Sequence, residues 1–254
     1  MELVDPAQQA YEEFAGVYDR FTSANDYELW FGALLPRLRE VGLRKGALLD
    51  VACGTGKGIG PMLDRGWQVT ACDISAAMVE KAIEKHPSGV TFDVCDMRDL
   101  PVYGRFDLVW ALNEPINYLL GDGDLVRALA AMAANLSDGG LLLFDCNTAA
   151  LFRANFGAGV EDTRDGTWTW RGLGRKGDIY EAEVSGPGVA THVHRERYRS
   201  VAEVWAAMAE AGLSPLLTLG QTDDDRGLWL SSDWDDDRDH KIIHVAGKGT
   251  DRLN

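Results

Sequence analysis

Between residues 47 and 147 the chain alternates short, continuously apolar runs with stretches whose apolar positions recur at helical spacing. The runs 47–52, 68–72, 91–95, 106–111 and 141–145 predict buried strands. The stretches 59–64, 76–85 and 125–135 predict helices between them. Gly139-Gly140, between the last helix and strand, reads as a helix C-terminus. Strand and helix alternating at this spacing predict an α/β fold, a parallel sheet with helices on both faces. Ahead of it, 6–20 places Tyr11, Phe14, Ala15, Val17 and Tyr18 on one helical face, and 26–41 predicts a second helix. Beyond it the period changes to two in 167–170, 179–184 and 191–198, with glycines in the gaps. That pattern predicts an antiparallel insertion of about three strands. A helix over 201–211, ended by Gly212, and strands at 216–218 and 241–246 close the chain.

Composition narrows the partners. Hydrophobic residues make up 46 % of the 254, enough for a sizeable core, while the formal charge of −15 repels phosphate backbones and disfavours nucleic acid. The four cysteines, Cys53, Cys72, Cys95 and Cys146, form no CxxC pair and lie in or beside apolar runs, as reduced thiols of a cytoplasmic protein would. The N-terminus lacks the basic and apolar regions of a secretory signal, and no apolar run reaches the roughly 20 residues that cross a bilayer. Segment 222–240 holds eight aspartates against two arginines. It reads as a solvated hairpin or as a rim that attracts a cation, and it lacks the spacing of a calcium loop.

The candidate chemistry starts at Asp50. A buried strand ends in Leu48-Leu49-Asp50-Val51-Ala52-Cys53-Gly54-Thr55-Gly56-Lys57-Gly58 and enters a helix. Glycines there let a ligand approach the backbone. The turn alone also fits a dinucleotide enzyme. A carboxylate just before the glycines suits a cationic ligand better than a phosphate. The second strand ends in Asp73, followed by Ile74, placed to accept from ribose hydroxyls. The third ends in Asp96-Met97, an acceptor for an amino group with an apolar neighbour for a ring. Three acids at three successive strand ends define one crevice along the sheet edge.

The runs LLDVACGTG, VTACDIS, VCDMRDLP and FDLVWALNEPINYLL, with the head YEEFAGVYDRFTSANDYELW and the later GGLLLFDCNT, resemble class I S-adenosylmethionine-dependent methyltransferases. The resemblance is to their small-molecule group, which includes glycine N-methyltransferase and the sugar N,N-dimethyltransferases. It covers roughly residues 11 to 220. It implies a Rossmann-like, seven-stranded sheet with an N-terminal helical cap (1–46), a cofactor-binding core (47–150), an antiparallel substrate insertion (151–199) and a closing helix and strands (200–254). It implies S-adenosylmethionine as cofactor, with Asp50, Ala52, Gly54 and Gly56 around its methionine part, Asp73 and Ile74 at the ribose, Asp96 and Met97 at the adenine, and Leu112 touching through its backbone. Tyr18, with Tyr11 and Trp30 as further candidates, would close over the methionine end. The arginine that pairs with the cofactor carboxylate in several relatives is missing from Thr22-Ser23-Ala24-Asn25, leaving Arg20 or Ser23 to substitute.

Methyl transfer from a sulfonium is an in-line displacement on an already activated electrophile, so it needs alignment and a free lone pair rather than a metal. An alkyl amine near the pKa of lysine is mostly protonated at pH 7, a cost of about 4–5 kcal/mol at 1.36 kcal/mol per pH unit. Candidate groups follow the fourth strand. Glu114 would attract an ammonium. Tyr118, where the sugar enzymes carry a histidine, would orient an amine. Asn117, Asp145 and Asn147 would face the substrate. His192 and His194 share one strand face, spaced for a substrate or metal pair without a third ligand. The favoured reading is a methyltransferase, a monomer or homodimer, acting on an amine nitrogen of a small molecule. The alternatives are transfer to a phenol or carboxylate oxygen, and a non-catalytic cofactor-binding protein. Asp50 and the Asp96-Met97 pair speak against a nicotinamide dehydrogenase.

Overall fold

A computed structural model describes residues 5–224 and 227–249, and of Asp224 only the backbone. Asp225 and Arg226 of the acidic segment lie outside the described residues. The expected parallel strands are β1 (Ala47–Val51), β2 (Gln68–Asp73), β3 (Val90–Val94), β4 (Phe106–Ala111) and β5 (Leu136–Asn147). They alternate with α4 (Ile59–Asp64), α5 (Ala76–Lys85) and α6 (Asp124–Ala134). Two further strands, β10 (Leu213–Asp224) and β12 (Lys241–Lys248), complete the expected seven, β12 running antiparallel to β5. An eighth, β11 (Gly227–Ser231), folds back on β10, giving the order β11-β10-β12-β5-β4-β1-β2-β3.

Apolar side chains cover both faces. Leu129, Met132, Val204 and Met208 pack on one, the last two from α8 (Val201–Glu210). Phe31, Leu34, Leu38, Ile59 and Met62 pack on the other, three of them from α3 (Tyr27–Glu40). Caps fix the helix starts. Asp26 accepts from the Leu29 N–H ahead of α3, and Ser200 and Glu203 form a reciprocal capping box on α8. No helix among the described residues is long and apolar enough to cross a membrane.

Two local expectations change. The helix over 6–20 is two pieces, α1 (Pro6–Phe14) and α2 (Tyr18–Phe21), broken around Gly16, a poor helix former. Gly139-Gly140 does not end a helix. α6 stops at Ala134, and Gly139, at φ +85°, lies inside the irregular start of β5. A Cβ on Gly140 would come within 2.5 Å of the Phe106 carbonyl oxygen, so glycine there lets β5 pass β4. The insertion has four strands, β6 (Glu161–Arg164), β7 (Trp168–Lys176), β8 (Ile179–Ser185) and β9 (His192–Arg197), paired in sequence order. It is joined to the core through α7 (Ala149–Phe156), whose Phe152 and Phe156 pack on Ala182 of β8 and Trp170 of β7.

Candidate active site

The cleft opens where β1 and β4 part, the switch point at which parallel α/β sheets bind ligands. Counted out to open solvent, the space within it is about 880 Å³. After β1 the backbone turns through Ala52 (φ +58°) and Gly54 (φ +54°). The Gly54 N–H donates to Asp73 Oδ2 at 2.8 Å, and the Ser75 N–H donates to Asp73 Oδ1 at 2.9 Å. One carboxylate thus ties the end of β2 to the glycine loop and to the start of α5. Burial pushes the Asp73 carboxyl up to about 6 and that of Asp50, 5 % exposed beneath the loop, up to about 7.

Tyr18, Ala52, Gly54, Asp73, Ile74, Asp96, Met97, Leu112 and Tyr118 all line the cleft, as does Tyr11. Gly56 does not: its positive φ makes the turn, and a Cβ there would meet Ala82 at 3.1 Å and His86 at 3.2 Å, so its glycine is needed for packing on α5. Asp96 is gripped by Arg98, whose guanidinium Nε lies 3.0 and 2.9 Å from the two carboxylate oxygens and which also pairs with Asp5 at 2.6 Å. Burial opposes ionisation of Asp96, but Arg98 outweighs it and holds the carboxyl below its usual range.

The acceptor residues are placed otherwise than expected. Glu114, in the left-handed region at φ +52°, turns its carboxylate to the Lys241 ammonium. Lys241 also lies 3.0 Å from Asp145 Oδ2 and 3.1 Å from Asn113 Oδ1. Asp145 is fully buried and accepts from the backbone N–H groups of Asn113 and Glu114 at 2.8 and 3.0 Å. It holds the strained turn after β4 rather than facing the cleft. Asn117 donates to the Arg197 carbonyl at 2.9 Å and accepts from the Asn147 N–H at 3.0 Å, so its amide braces β5 against β9. Asn147 donates to Glu196 at 2.8 Å. These three side chains stand behind the cleft wall, not in it. Trp30 likewise points away, donating to Gln221 at 2.9 Å.

Three residues not anticipated from sequence, Tyr27, Lys57 and Lys241, shape the site. Tyr27 lines the cleft and accepts from the Asn113 amide at 2.9 Å. Lys57, within the glycine loop, lines it and donates to the Thr22 carbonyl at 2.6 Å. Arg20, which pairs with Asp165, and Ser23 do not line the cleft. Among the described residues that line the cleft the cations are Lys57 and Arg98, and Arg98 is already engaged by carboxylates. The place of Lys57 in the loop was visible; its direction was not. Lys241 gave no signal, because its partners come together only through sheet register. Of the expected histidine pair, His194 is 2 % exposed and its Nδ1 lies 2.8 Å from the Tyr118 hydroxyl oxygen.

Residues 48–140 match the family described as methyltransferase domain. The candidate methyltransferase YqeM of Bacillus subtilis (strain 168) is 33 % identical over 142 residues, 55 % of this chain and 56 % of that protein. The dTDP-3-amino-3,6-dideoxy-alpha-D-glucopyranose N,N-dimethyltransferase of Streptomyces fradiae is 30 % identical over 135 residues, 52 % of each. The chain spans about half the length of the curated relatives it matches. The crystal structure of an S-adenosylmethionine-dependent methyltransferase from Clostridium acetobutylicum ATCC 824 has a TM-score of 0.75 at 21 % identity, covering 95 % of this chain and 100 % of that one. Residues 48–140 thus match a methyltransferase-domain family, and the chain has the fold of an S-adenosylmethionine-dependent methyltransferase.

Proposed function

We propose that the protein is an S-adenosylmethionine-dependent methyltransferase whose acceptor is an amine nitrogen of a small molecule. The observation that carries the reading is that four tyrosines, Tyr11, Tyr18, Tyr27 and Tyr118, line the cleft together with Asp73 and Asp96. Aromatic faces and phenol oxygens attract cations. Both a sulfonium donor and an ammonium acceptor are cations. The fit of the cofactor is chemical as well as geometric. Asp73 has lone pairs left for ribose hydroxyls, Asp96 and Met97 suit an adenine, the Leu112 backbone borders the cleft, and Lys57 suits a carboxylate. When bound, the cofactor supplies a methyl group already activated for displacement. The chain's own part is to align the acceptor, exclude water and remove its proton.

The negative charge of the whole chain supports a small acceptor over nucleic acid. The sugar-amine dimethyltransferase among its relatives points toward nitrogen. Calorimetry should show S-adenosylmethionine and S-adenosylhomocysteine binding and NAD failing to bind. A panel of small amines, phenols and carboxylates, incubated with the protein and S-adenosylmethionine and read by mass spectrometry, should give a methylated amine. Methylation confined to oxygen, or no cofactor binding, overturns the reading.

A further inference from the structure

We propose that Lys57 holds the carboxylate of the cofactor's methionine part and, with the same ammonium, ties the N-terminal segment to it. This rests on the cofactor reading above, which it deepens, and not on the acceptor. Lys57 follows the glycine turn, is half-buried and lines the cleft. Its ammonium donates to the Thr22 carbonyl at 2.6 Å and lies 3.3 Å from the Thr22 hydroxyl oxygen. Thr22 is the C-terminal cap of α2. An ammonium carries three N–H donors, and Thr22 takes two at most. The third has no acceptor among the described residues.

The other cations around the cleft are already paired. Arg98 is shared by Asp5, Asp96 and Asp124. Arg20 pairs with Asp165 at 3.1 Å and lies 4.7 Å from the centre of the Trp168 ring. Lys241 sits between Glu114 and Asp145, and Lys85 pairs with Asp19 at 2.6 Å. Asp19 also favours the Lys57 ammonium from α2, but its oxygens already accept from Lys85 and from the Thr55 hydroxyl. Burial pulls the Lys57 ammonium below its ordinary range, so a carboxylate partner would restore what desolvation takes away.

The charges along the cleft set which way the cofactor lies. β1, β2 and β3 are neighbours in the sheet, and beyond their ends stand Lys57, Asp73 and Asp96 in that order. A carboxylate at the β3 end would meet Asp96, with Asp5 and Asp124 on the same arginine. At the β1 end it meets Lys57. The Tyr18 and Tyr27 rings border the loop there, 3.8 Å from a Cβ built on Gly54 and 3.4 Å from one built on Gly58. With the carboxylate in place, one ammonium would bridge it to the end of α2. Asp19 already fastens the start of α2 to the loop through Thr55. A ligand with a carboxylate therefore fastens α2 further, and one without it does not.

Two ligands and one side chain test this. Calorimetry compares S-adenosylmethionine with its decarboxylated form, which keeps the sulfonium, amine, ribose and adenine. The parent should bind S-adenosylmethionine about tenfold to a hundredfold more tightly, the range of a hydrogen bond to a charged group. Lys57→Met should remove that preference by weakening S-adenosylmethionine alone, and its undiminished binding of the decarboxylated form shows that it is folded. Lys57→Arg should keep the preference. Hydrogen exchange gives a second readout. In the parent, the amides of residues 20–23 should be slowed more by S-adenosylmethionine than by the decarboxylated form, and in Lys57→Met the two should slow them equally. Were Lys57 only a prop for Thr22, its loss would quicken those amides and weaken both ligands in the same proportion. That result overturns the proposal, as does a parent that binds the two ligands alike while still binding S-adenosylmethionine. Failure of both ligands to bind overturns the cofactor reading and the role of Lys57 with it.

Discussion

Asp50 and Asp73 are buried acids, Asp73 in the cleft lining and Asp50 outside that lining, beneath the glycine loop. Their burial has a cost that depends on pH. An unfolded aspartate ionises near 3.9, so a folded value of about 7 at Asp50 means that the protonated form is favoured in the fold. The stability this contributes is complete below about pH 4 and is lost as pH rises through 7. Ligand binding runs the other way, since a sulfonium and an ammonium prefer the ionised form. Affinity for S-adenosylmethionine, measured by calorimetry, should therefore rise from pH 5 to pH 8. The variant Asp50→Asn should bind more weakly at pH 8 and lose most of the pH dependence. Asp73, pushed up to about 6, adds to the same slope and supplies what remains in the variant. A parent affinity that is flat or falls over this range would refute the electrostatic role given to Asp50.

The elements differ in how plainly the sequence announces them. β1, β2, β4 and most of β5 are near-continuous apolar runs, because a strand covered on both faces needs them; the first three match their expected bounds within a residue, while β5 begins five residues early. β6 is Glu-Asp-Thr-Arg and has no apolar pattern to find. β11 lies inside the acidic segment, where charge hides the period of two. That segment also shows how a charge run misleads. Asp236 accepts from the Tyr198 hydroxyl at 2.6 Å and from the Ala149 N–H at 3.2 Å, so it clasps the start of α7 to the end of the insertion. Asp239, 2 % exposed, accepts from Thr222 at 2.9 Å and from the Asp235 N–H at 2.7 Å. The segment is docked by some of its aspartates and solvated by others. Asp236→Ala should cost about 2 kcal/mol in denaturant unfolding, from two lost hydrogen bonds to a charged acceptor. Asp233→Ala, at a side chain 93 % exposed, should stay within about 0.5 kcal/mol. Equal effects at the two positions would sink the distinction. The substrate residues were the least legible for the same reason as Lys241. Asn117, Asp145 and Asn147 sit at the right ends of the right elements, but the turn after β4 and the pairing of β5 with β12 direct their polar atoms inward.

Across the whole molecule, the segment from Asp5 to Thr22 contributes Asp5, Ala7, Tyr11 and Tyr18 to the cleft lining, and it is held down by charge as well as by the burial of Phe14. Glu12 accepts from the Ala76 and Ala77 N–H groups at the start of α5, Asp19 pairs with Lys85 at 2.6 Å and accepts from the Thr55 hydroxyl at 2.5 Å, and Asp5 pairs with Arg98 at 2.6 Å. Asp19 and Lys85 are 45 % and 32 % exposed, and contacts of that kind contribute about 0.2–1 kcal/mol each. The aromatic contacts of Tyr11 and Phe14 with His192 and His194 of the insertion add to them. The segment should open locally while the sheet stays intact. Salt sharpens the test, because screening shortens from about 10 Å at 0.1 M to about 3 Å at 1 M. Hydrogen exchange of amides in α1 and α2 should be faster than in β1 and β4. It should quicken further in 1 M salt and slow when S-adenosylhomocysteine is added, since Tyr11 and Tyr18 line the cleft. Amides of α1 and α2 protected as well as the sheet, and indifferent to salt and ligand, would make the segment a fixed wall. Entry would then have to occur elsewhere along the cleft, with the tyrosines of its lining already in place before the cofactor arrives.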